Sequence, residues 1–388
     1  MKKFKFIDLF AGIGGFHQAM TSLGGECVFA SDIDVHAAET YKINYGIDAL
    51  CDITKVKEED IPAHDVLCAG FPCQAFSTAG QKKGFADTRG TLFFEIERIL
   101  KFHKTKYIVL ENVKHLLTHD NGNTYAVIHN RLEELGYVMT KEPIVLSPHY
   151  FGVPQNRERL YILGIKKDYL KNDIDYLDIK LPDKKNLPKT SIYDILDKSI
   201  KNEQKYHISD YEEQVLNAWD VFHKTIEQKV FGFPVWVDEF GKNYDYSEFP
   251  KWKQNYVIKN RKLYLENKDF IDKWLNDYKV KDFKLRDRKF EWQAGEGYNS
   301  VWETSIQLRQ SGIRCKKTDY FPTLVAMVQT PIVGKLKRRI TPREASRLQS
   351  FPENFILNEN EHLAYKQLGN SVNVNILKFL TEQLFKIK

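Results

Sequence analysis

Cys73 lies between a proline and a glutamine in AGFPCQAFSTAG (69–80), directly after the apolar run DVLCAG (65–70). A thiol on a loop at the end of a strand is placed as a nucleophile if its surroundings favour the thiolate. Cys68, inside the run itself, reads as a small buried hydrophobe. Glu111 closes the next apolar run, YIVLEN (107–112), so strand succession sets it beside Cys73 in space. A carboxyl in a partly dry pocket next to a nucleophile has a raised pKa and can donate a proton; a structural carboxylate at a strand end fits the pattern equally. In PQNRERLYILGI (154–165), Arg157 and Arg159 precede an apolar strand two positions apart and point to one face. A surface ion pair or a bound polar ligand would satisfy that face equally well.

A second group of residues suggests a nucleoside ligand. FIDLFAGIGGF (6–16) runs from an apolar strand into a turn containing Gly12, Gly14 and Gly15, which lets the backbone bend sharply and approach a ligand closely. The dinucleotide fingerprint needs a further glycine at position 17, where this chain has His17, so a nicotinamide dehydrogenase is disfavoured. The next strand ends in SDID (31–34), placing Asp32 where an acid accepts both ribose hydroxyls. Asp52, in CDIT, can meet an adenine amino group from the following loop. Each aspartate alone could equally cap a helix or a turn; it is their succession after consecutive strands that favours the ligand.

These residues must be held by alternating elements. The β-type runs are 4–10, 27–31, 65–70, 107–112, 137–146 and 159–165, and the helical patterns between them are 15–24, 34–45, 91–102 and 123–135. Such alternation predicts an α/β fold, a mainly parallel sheet with helices on both faces and ligands at the carboxyl ends of its strands. Residues 166–190, rich in Lys, Asp, Asn and Pro, look like an exit from this domain. From 205 to 293, Tyr, Trp, Phe, Lys and Asp crowd together without a clean period. Aromatic residues interleaved with lysine either stack on bases and pair with phosphates or form an irregular packed region. RRITPREASRLQSFP starts a helix with Thr341 as N-cap, Pro342 at the first helical position and Glu344 closing a capping box. Residues 371–387 close the chain as an amphipathic helix.

Composition narrows the classes. In 388 residues, 58 Lys+Arg against 52 Asp+Glu leave +6, which permits a nucleic-acid partner without demanding one. With 42% hydrophobic and 13% aromatic residues the chain can bury enough surface to fold. Five cysteines without a C-x-x-C pair argue against a disulfide framework or a zinc knuckle, and no metal site is expected. The basic, apolar start resembles a signal peptide, but Asp8 interrupts it, which suggests the first strand of a cytoplasmic protein. No apolar window is long enough to cross a membrane.

Taken in order, FxDLFAGxGG, GFPCQxFS, ENV, QxRxR, RxxTPREAxRLQxFP and YKQLGNSV closely resemble the DNA (cytosine-5) methyltransferases of bacterial restriction–modification systems. The resemblance covers about 1–165 and 338–388; the stretch between varies among members. It implies a Rossmann-like S-adenosylmethionine-dependent methyltransferase sheet, with a smaller, irregular β-containing target-recognition domain. The expected divisions are 1–180 for the large domain, 181–355 for the small one and 356–388 as a segment returning to the large domain. The resemblance makes Cys73 the nucleophile at carbon 6 of cytosine and puts Glu111 on the ring N3 and amino group. Arg159 falls on the base O2, and Arg157 supports the loop or the phosphate backbone. For S-adenosylmethionine it implies Phe10, Gly12, Gly14, Gly15, Asp32, Ile33, Asp52, Leu92, Asn370 and Ser371. Asp8, Asp32 and Asp52 together would serve this cationic ligand. Ile33 and Asp32 depart from the family in being smaller than the residues commonly found there, which weakens cofactor contact.

A target cytosine must leave the duplex to be reached, and the loop 74–90, with Gln74, Ser77 and Arg89, is expected to close over double-stranded DNA as a lid. Arg309, Gln310, Arg314 and Thr323 are candidate DNA contacts in the variable region, and Lys335, Lys337, Arg338 and Arg339 are expected to face DNA. A monomer is expected, with a cognate restriction endonuclease acting separately. The rival readings are a tRNA cytosine-5 methyltransferase and a non-catalytic methyltransferase-like DNA-binding subunit. The long variable region disfavours the first, and the intact Pro72-Cys73 and Glu111-Asn112-Val113 disfavour the second.

Overall fold

In the computed structural model, which describes residues 3–72, 92–198, 200, 204–227, 232–325 and 329–387, the N-terminal apolar runs become strands. These are β1 (Phe4–Leu9), β2 (Gly25–Ser31), β3 (Val66–Gly70), β4 (Tyr107–Val113), β5 (Tyr137–Met139), β6 (Ile144–Leu146) and β7 (Arg159–Lys166). The periodic stretches become α1 (Gly15–Ser22), α2 (Val35–Tyr45), α3 (Phe93–His103) and α4 (Asn123–Glu134). The sheet order is β2-β1-β3-β4-β7-β5, with β6 also paired to β7. The first four strands are parallel and β7 runs antiparallel to β4, β5 and β6. The carboxyl ends of β1 to β4 therefore share one edge, where ligands of such sheets bind. Ile7, Leu67 and Leu110 pack with Phe93, Ile96 and Ile99 of α3 in the core on one face.

One expected strand divides. The run 137–146 breaks into β5 and β6, which pair with different stretches of β7. Thr140 Oγ1 turns back to the Glu142 carbonyl at 2.9 Å, and Pro143 has no N–H to give a ladder.

Backbone contacts divide the chain into two units, Met1–Lys189 with Thr323–Met327 and Ala345–Lys388, and Thr190–Pro322 with Val328–Glu344. The sequence placed its divisions at 180/181 and 355/356. The chain re-enters the first unit at Ala345, within α8 (Pro342–Leu348), and continues through α9 (Glu361–Asn370) and α10 (Val374–Leu384). The expected capping box at the start of α8 is present: Glu344 N donates to Thr341 Oγ1 at 3.2 Å and Thr341 N to Glu344 Oε2 at 2.8 Å. α10 begins three residues later than expected, because Asn373 Oδ1 accepts from Ile376 N at 3.1 Å and sets the cap there.

The second unit is more regular than its sequence suggests. Helices α5 (Asp210–Thr225), α6 (Lys251–Glu266) and α7 (Lys268–Asp277) accompany a sheet of β8 (Val235–Trp236), β9 (Lys289–Gln293), β10 (Ser305–Arg309), β11 (Gly312–Lys316), β12 (Ile332–Val333) and β13 (Arg338–Arg339). The order is β13-β12-β10-β11-β9-β8. The expectation that aromatic residues of 205–293 stack on bases is corrected for Trp219, Trp274 and Phe290. Trp219 stacks on Phe290 at 4.7 Å and packs against Trp274 at 5.1 Å, all three fully buried. Their indole N–H groups are satisfied by main-chain oxygens, Trp219 on Asp287 at 2.9 Å and Trp274 on Ala218 at 2.7 Å, so these rings have nothing left for a ligand. No described helix is long and apolar enough to cross a membrane.

Candidate functional site

The turn after β1 is held in left-handed backbone conformations, with φ +56° at Phe10, +54° at Gly12 and +84° at Gly14. A Cβ on Gly14 would lie 2.3 Å from the Tyr45 ring, and one on Gly15 would lie 2.6 Å from Val372 Cγ2. Both glycines thus let α2 and the 371–372 segment close on the turn. The turn is tied to β2 through Asp32, whose two oxygens accept from Gly12 N at 2.7 Å and Asp34 N at 2.8 Å. Burial pushes the Asp32 carboxyl above its ordinary pKa. A carboxylate has about four lone-pair positions, so two remain for hydroxyl donors.

A cavity of about 480 Å³ opens at this edge of the sheet, within the range of small-molecule sites. Phe10, Gly12, Asp32, Ile33, Asp52, Leu92 and Asn370 line it, as do Glu111, Arg157 and Arg159. Gly14, Gly15 and Ser371 are not in its lining: the two glycines act through packing, and the Ser371 carbonyl is an anchor for Arg157. Asp8, expected to serve the same ligand, is fully buried in β1 and also absent from the lining; burial holds its carboxyl well above the ordinary range. Asp52 lines the cavity while capping a short helical turn, accepting from Thr54 N at 3.1 Å and Thr54 Oγ1 at 2.7 Å.

Glu111 and Arg159 form a pair, Nε to Oε1 3.1 Å. Burial raises the Glu111 pKa, against the opposing pull of Arg159 and Arg157. Its neighbour Asn112 donates from Nδ2 to the Phe71 carbonyl at 2.9 Å, fixing the exit of β3 immediately ahead of Pro72 and Cys73. Arg157 faces main chain: it donates to the carbonyls of Leu324 at 2.7 Å, Gly369 at 2.9 Å and Ser371 at 3.0 Å. Burial and the nearby Arg159 lower its pKa to about 9, so it stays charged at neutral pH. Thr323 Oγ1 donates to the Asn156 carbonyl at 2.8 Å. Arg157 and Thr323 therefore hold the 323–325 strap to the loop ahead of β7.

Sequence reasoning missed Asp34, Asn112, Lys366, Gln367 and Gly369, all of which line the cavity. Lys366 and Gln367 stand one helical turn before Asn370, and that i, i+3/i+4 spacing was the available signal. Cys73, Gln74, Ser77 and Arg89, with the expected lid 74–90, lie outside the described residues. In the second unit, Arg309 and Arg314 both bind Glu291, at 2.5 and 2.7 Å, and Gln310 is exposed at the hairpin turn between β10 and β11. The cluster expected to face DNA is largely engaged within the unit. Lys337 pairs with Glu213, Arg338 with Glu344 and Arg339 with Glu212, and Lys335 lies over the Tyr193 ring at 5.6 Å.

The chain is similar to proteins of known family. The profile described as C-5 cytosine-specific DNA methylase matches residues 4–386. The type II methyltransferase M1.ScrFI of Lactococcus lactis subsp. cremoris is 37% identical over 99% of this chain and 79% of its own length. M.BanI of Aneurinibacillus aneurinilyticus is 37% identical over 99% and 96%, and M.HhaI of Haemophilus parahaemolyticus 32% over 97% and 92%. Among solved structures, a putative DNA modification methyltransferase from an E. coli prophage superposes with a TM-score of 0.58 at 20% identity, covering 99% of both chains. A Spodoptera frugiperda DNMT2 variant gives 0.58 at 19% identity over 98% and 99%. These two likenesses concern the fold.

Proposed function

Because the chain belongs to the C-5 cytosine-specific DNA methylase family, it is a DNA cytosine-5 methyltransferase, and we propose that it works through a covalent adduct between Cys73 and carbon 6 of a flipped-out cytosine, with S-adenosylmethionine as methyl donor. The observation that carries this reading is the sharing of one cavity by the Glu111–Arg159 pair, Asp32 and the glycine turn. The residues present fit the donor: Asp32 keeps lone pairs for ribose hydroxyls, Asp52 can accept from an amino group, and Phe10, Ile33 and Leu92 offer apolar surface. When bound, the donor supplies a methyl group activated by a sulfonium.

The remaining chemistry falls to side chains. Carbon 5 of cytosine is a feeble nucleophile because the ring is aromatic. Thiolate addition at carbon 6 breaks the aromaticity and leaves carbon 5 enamine-like. Glu111, with a raised pKa, is suited to hold a proton at ring N3 and to accept from the exocyclic amino group, which selects cytosine over thymine. Arg159 orients Glu111 and reaches the base O2. Arg157 is a positioning residue, since its two Nη groups donate to three main-chain carbonyls. After methyl transfer, loss of the carbon 5 proton and elimination of the thiolate restore the ring and free Cys73. Double-stranded DNA is the partner, and Arg309, Gln310 and Arg314 are proposed contacts.

Bisulfite sequencing of DNA from a host making the protein tests the reading and locates the modified site. Cys73→Ala is expected to abolish 5-methylcytosine while leaving DNA binding in place. Undiminished methylation by that variant would overturn the mechanism, and labelling of tRNA instead of DNA would reverse the choice of substrate.

A further inference from the structure

The six-stranded sheet of the second unit has two faces of opposite character. Phe290, Trp292, Ile306, Leu308, Ile313 and Cys315 belong to the hydrophobic core. Alternation along β9, β10 and β11 therefore sends Glu291, Gln293, Gln307, Arg309, Arg314 and Lys316 to the opposite face. Register sets Arg314 across from both Glu291 and Gln307, and Lys316 across from Gln293. Glu291 is the hub of this face. It accepts from Arg314 Nε at 2.7 Å and Nη2 at 3.1 Å, from Arg309 Nη2 at 2.5 Å and from Gln293 Nε2 at 2.7 Å.

One carboxylate thus stands among three cations. Burial and the two neighbouring guanidiniums hold the Lys316 pKa below the ordinary lysine value, and the Arg309 Nε–H is buried without a partner. Register gives Arg314 a favourable partner in Glu291, whereas Arg309 lies across from Gly312 and Lys316 across from Gln293 and Ser305, so neither of these two cations has a carboxylate directly opposite; a surplus of positive charge on one sheet face is the pattern of a functional surface. The contrast within the unit is clear: on α7, Lys268 and Lys273 each have a carboxylate one turn away, Asp272 and Asp277.

We propose that this polar sheet face contacts duplex DNA, with Glu291 as a positioning residue that holds Arg309 and Arg314 in one fixed pose while Lys316 supplies an uncompensated charge. A guanidinium has five donors in a rigid fork, and Glu291 takes two from Arg314 and one from Arg309; with the Arg309 Nε–H buried, the remaining Nη hydrogens are the ones left for phosphate oxygens or a guanine edge. The inference rests on DNA being the substrate and adds where the second unit meets it.

The test uses the full chain and two probes: poly(dA-dT) duplex, which contains no cytosine, and a cytosine-containing duplex carrying the methylated site. Glu291→Gln removes the neutralising charge but keeps the shape. Binding to poly(dA-dT) is expected to tighten about 3-fold or more with a steeper salt dependence, while kcat/KM for methyl transfer falls about tenfold as the arginines lose their pose. Lys316→Gln is expected to weaken binding to both duplexes about 3-fold at low salt, with donor binding unchanged. If Glu291→Gln raises both quantities, lowers both or moves neither, the inference is wrong. Should Glu291→Gln fail to fold, Lys316→Gln decides alone, and an unchanged KM for DNA overturns the proposal. Absence of methyl transfer by the unaltered protein would instead strike at the catalytic mechanism, since the poly(dA-dT) measurement reads this surface without catalysis.

Discussion

Glu111 and Arg157 show how burial assigns different tasks to charged groups in one cavity. Burial lifts the Glu111 pKa and Arg159 only partly offsets it, so this carboxyl is poised nearer to neutrality than a surface glutamate. Glu111→Gln is expected to lower methyl transfer by about 10²-fold or more, measured with labelled donor, while donor binding persists; activity within about 3-fold of normal would remove Glu111 from proton transfer. The folded-state pKa lies above the unfolded one, so the stability associated with this group declines as pH rises from its unfolded value through its folded one. The turn glycines carry a separate prediction. Gly14 combines φ +84° with a ring atom 2.3 Å from any Cβ, so Gly14→Ala should weaken donor binding at least tenfold by titration calorimetry, a loss of about 1.4 kcal/mol. Glu111 was legible as a chemical residue because it closes an apolar run. The packing role of Gly14 and Gly15 was not, since Tyr45 and Val372 meet them only in the fold.

At the scale of elements, the cavity wall formed by α9 is sewn to α2. Lys366 Nζ reaches Asp34 Oδ2 at 2.9 Å, and Gln367 Nε2 donates to the His36 carbonyl at 2.9 Å. The other oxygen of Asp34 caps α2, accepting from His36 N at 3.1 Å and Ala37 N at 3.2 Å. Partial burial acts to raise the Asp34 pKa, but Lys366 and the helix N–H groups outweigh it and hold the carboxyl below its ordinary value. Its contribution is thus present above the unfolded pKa and fades as pH falls through the folded one. Asp34→Asn retains a good N-cap and loses only the charge. Because the pair is about 40% exposed, it is worth at most about 1 kcal/mol. The expected result is a rise of up to about 5-fold in the donor KM with kcat unchanged, shrinking at high salt. A fall in kcat at constant KM would show that the seam does not position the wall.

The whole molecule pairs an open α/β sheet with a helix-backed second sheet, each having its own core. Trp219→Ala, deep in the second core, is expected to cost about 3–5 kcal/mol and to abolish DNA methylation, while donor binding by the first unit survives. Loss of donor binding as well would mean that the two units do not fold independently. Burial lowers the pKa of His17 and of His64 to about 4, whereas an unfolded histidine titrates near 6.5. The unfolded chain therefore binds more protons in this window, and stability falls on acidification from about pH 6.5 toward 4. Replacing His64 with Gln should flatten that part of the stability curve, read by thermal melts across pH; an unaltered slope would remove His64 as a cause.

The order of strands and helices from 4 to 135, the capping box at Thr341 and the placing of Asp32, Glu111 and Arg159 were determined by the sequence alone. Hydrophobic period, turn glycines and caps are local, and local signals survive without knowledge of partners. The region 205–293 was not legible because its aromatic residues serve several helices and a sheet at once, so their spacing follows no single period. Only tertiary structure decided which cations are spent on carboxylates: Arg338 and Arg339 find Glu344 and Glu212, and Arg309 and Arg314 converge on Glu291. Most of these pairings join residues distant in sequence, so whether a charge is free for DNA is settled by folding and not by composition.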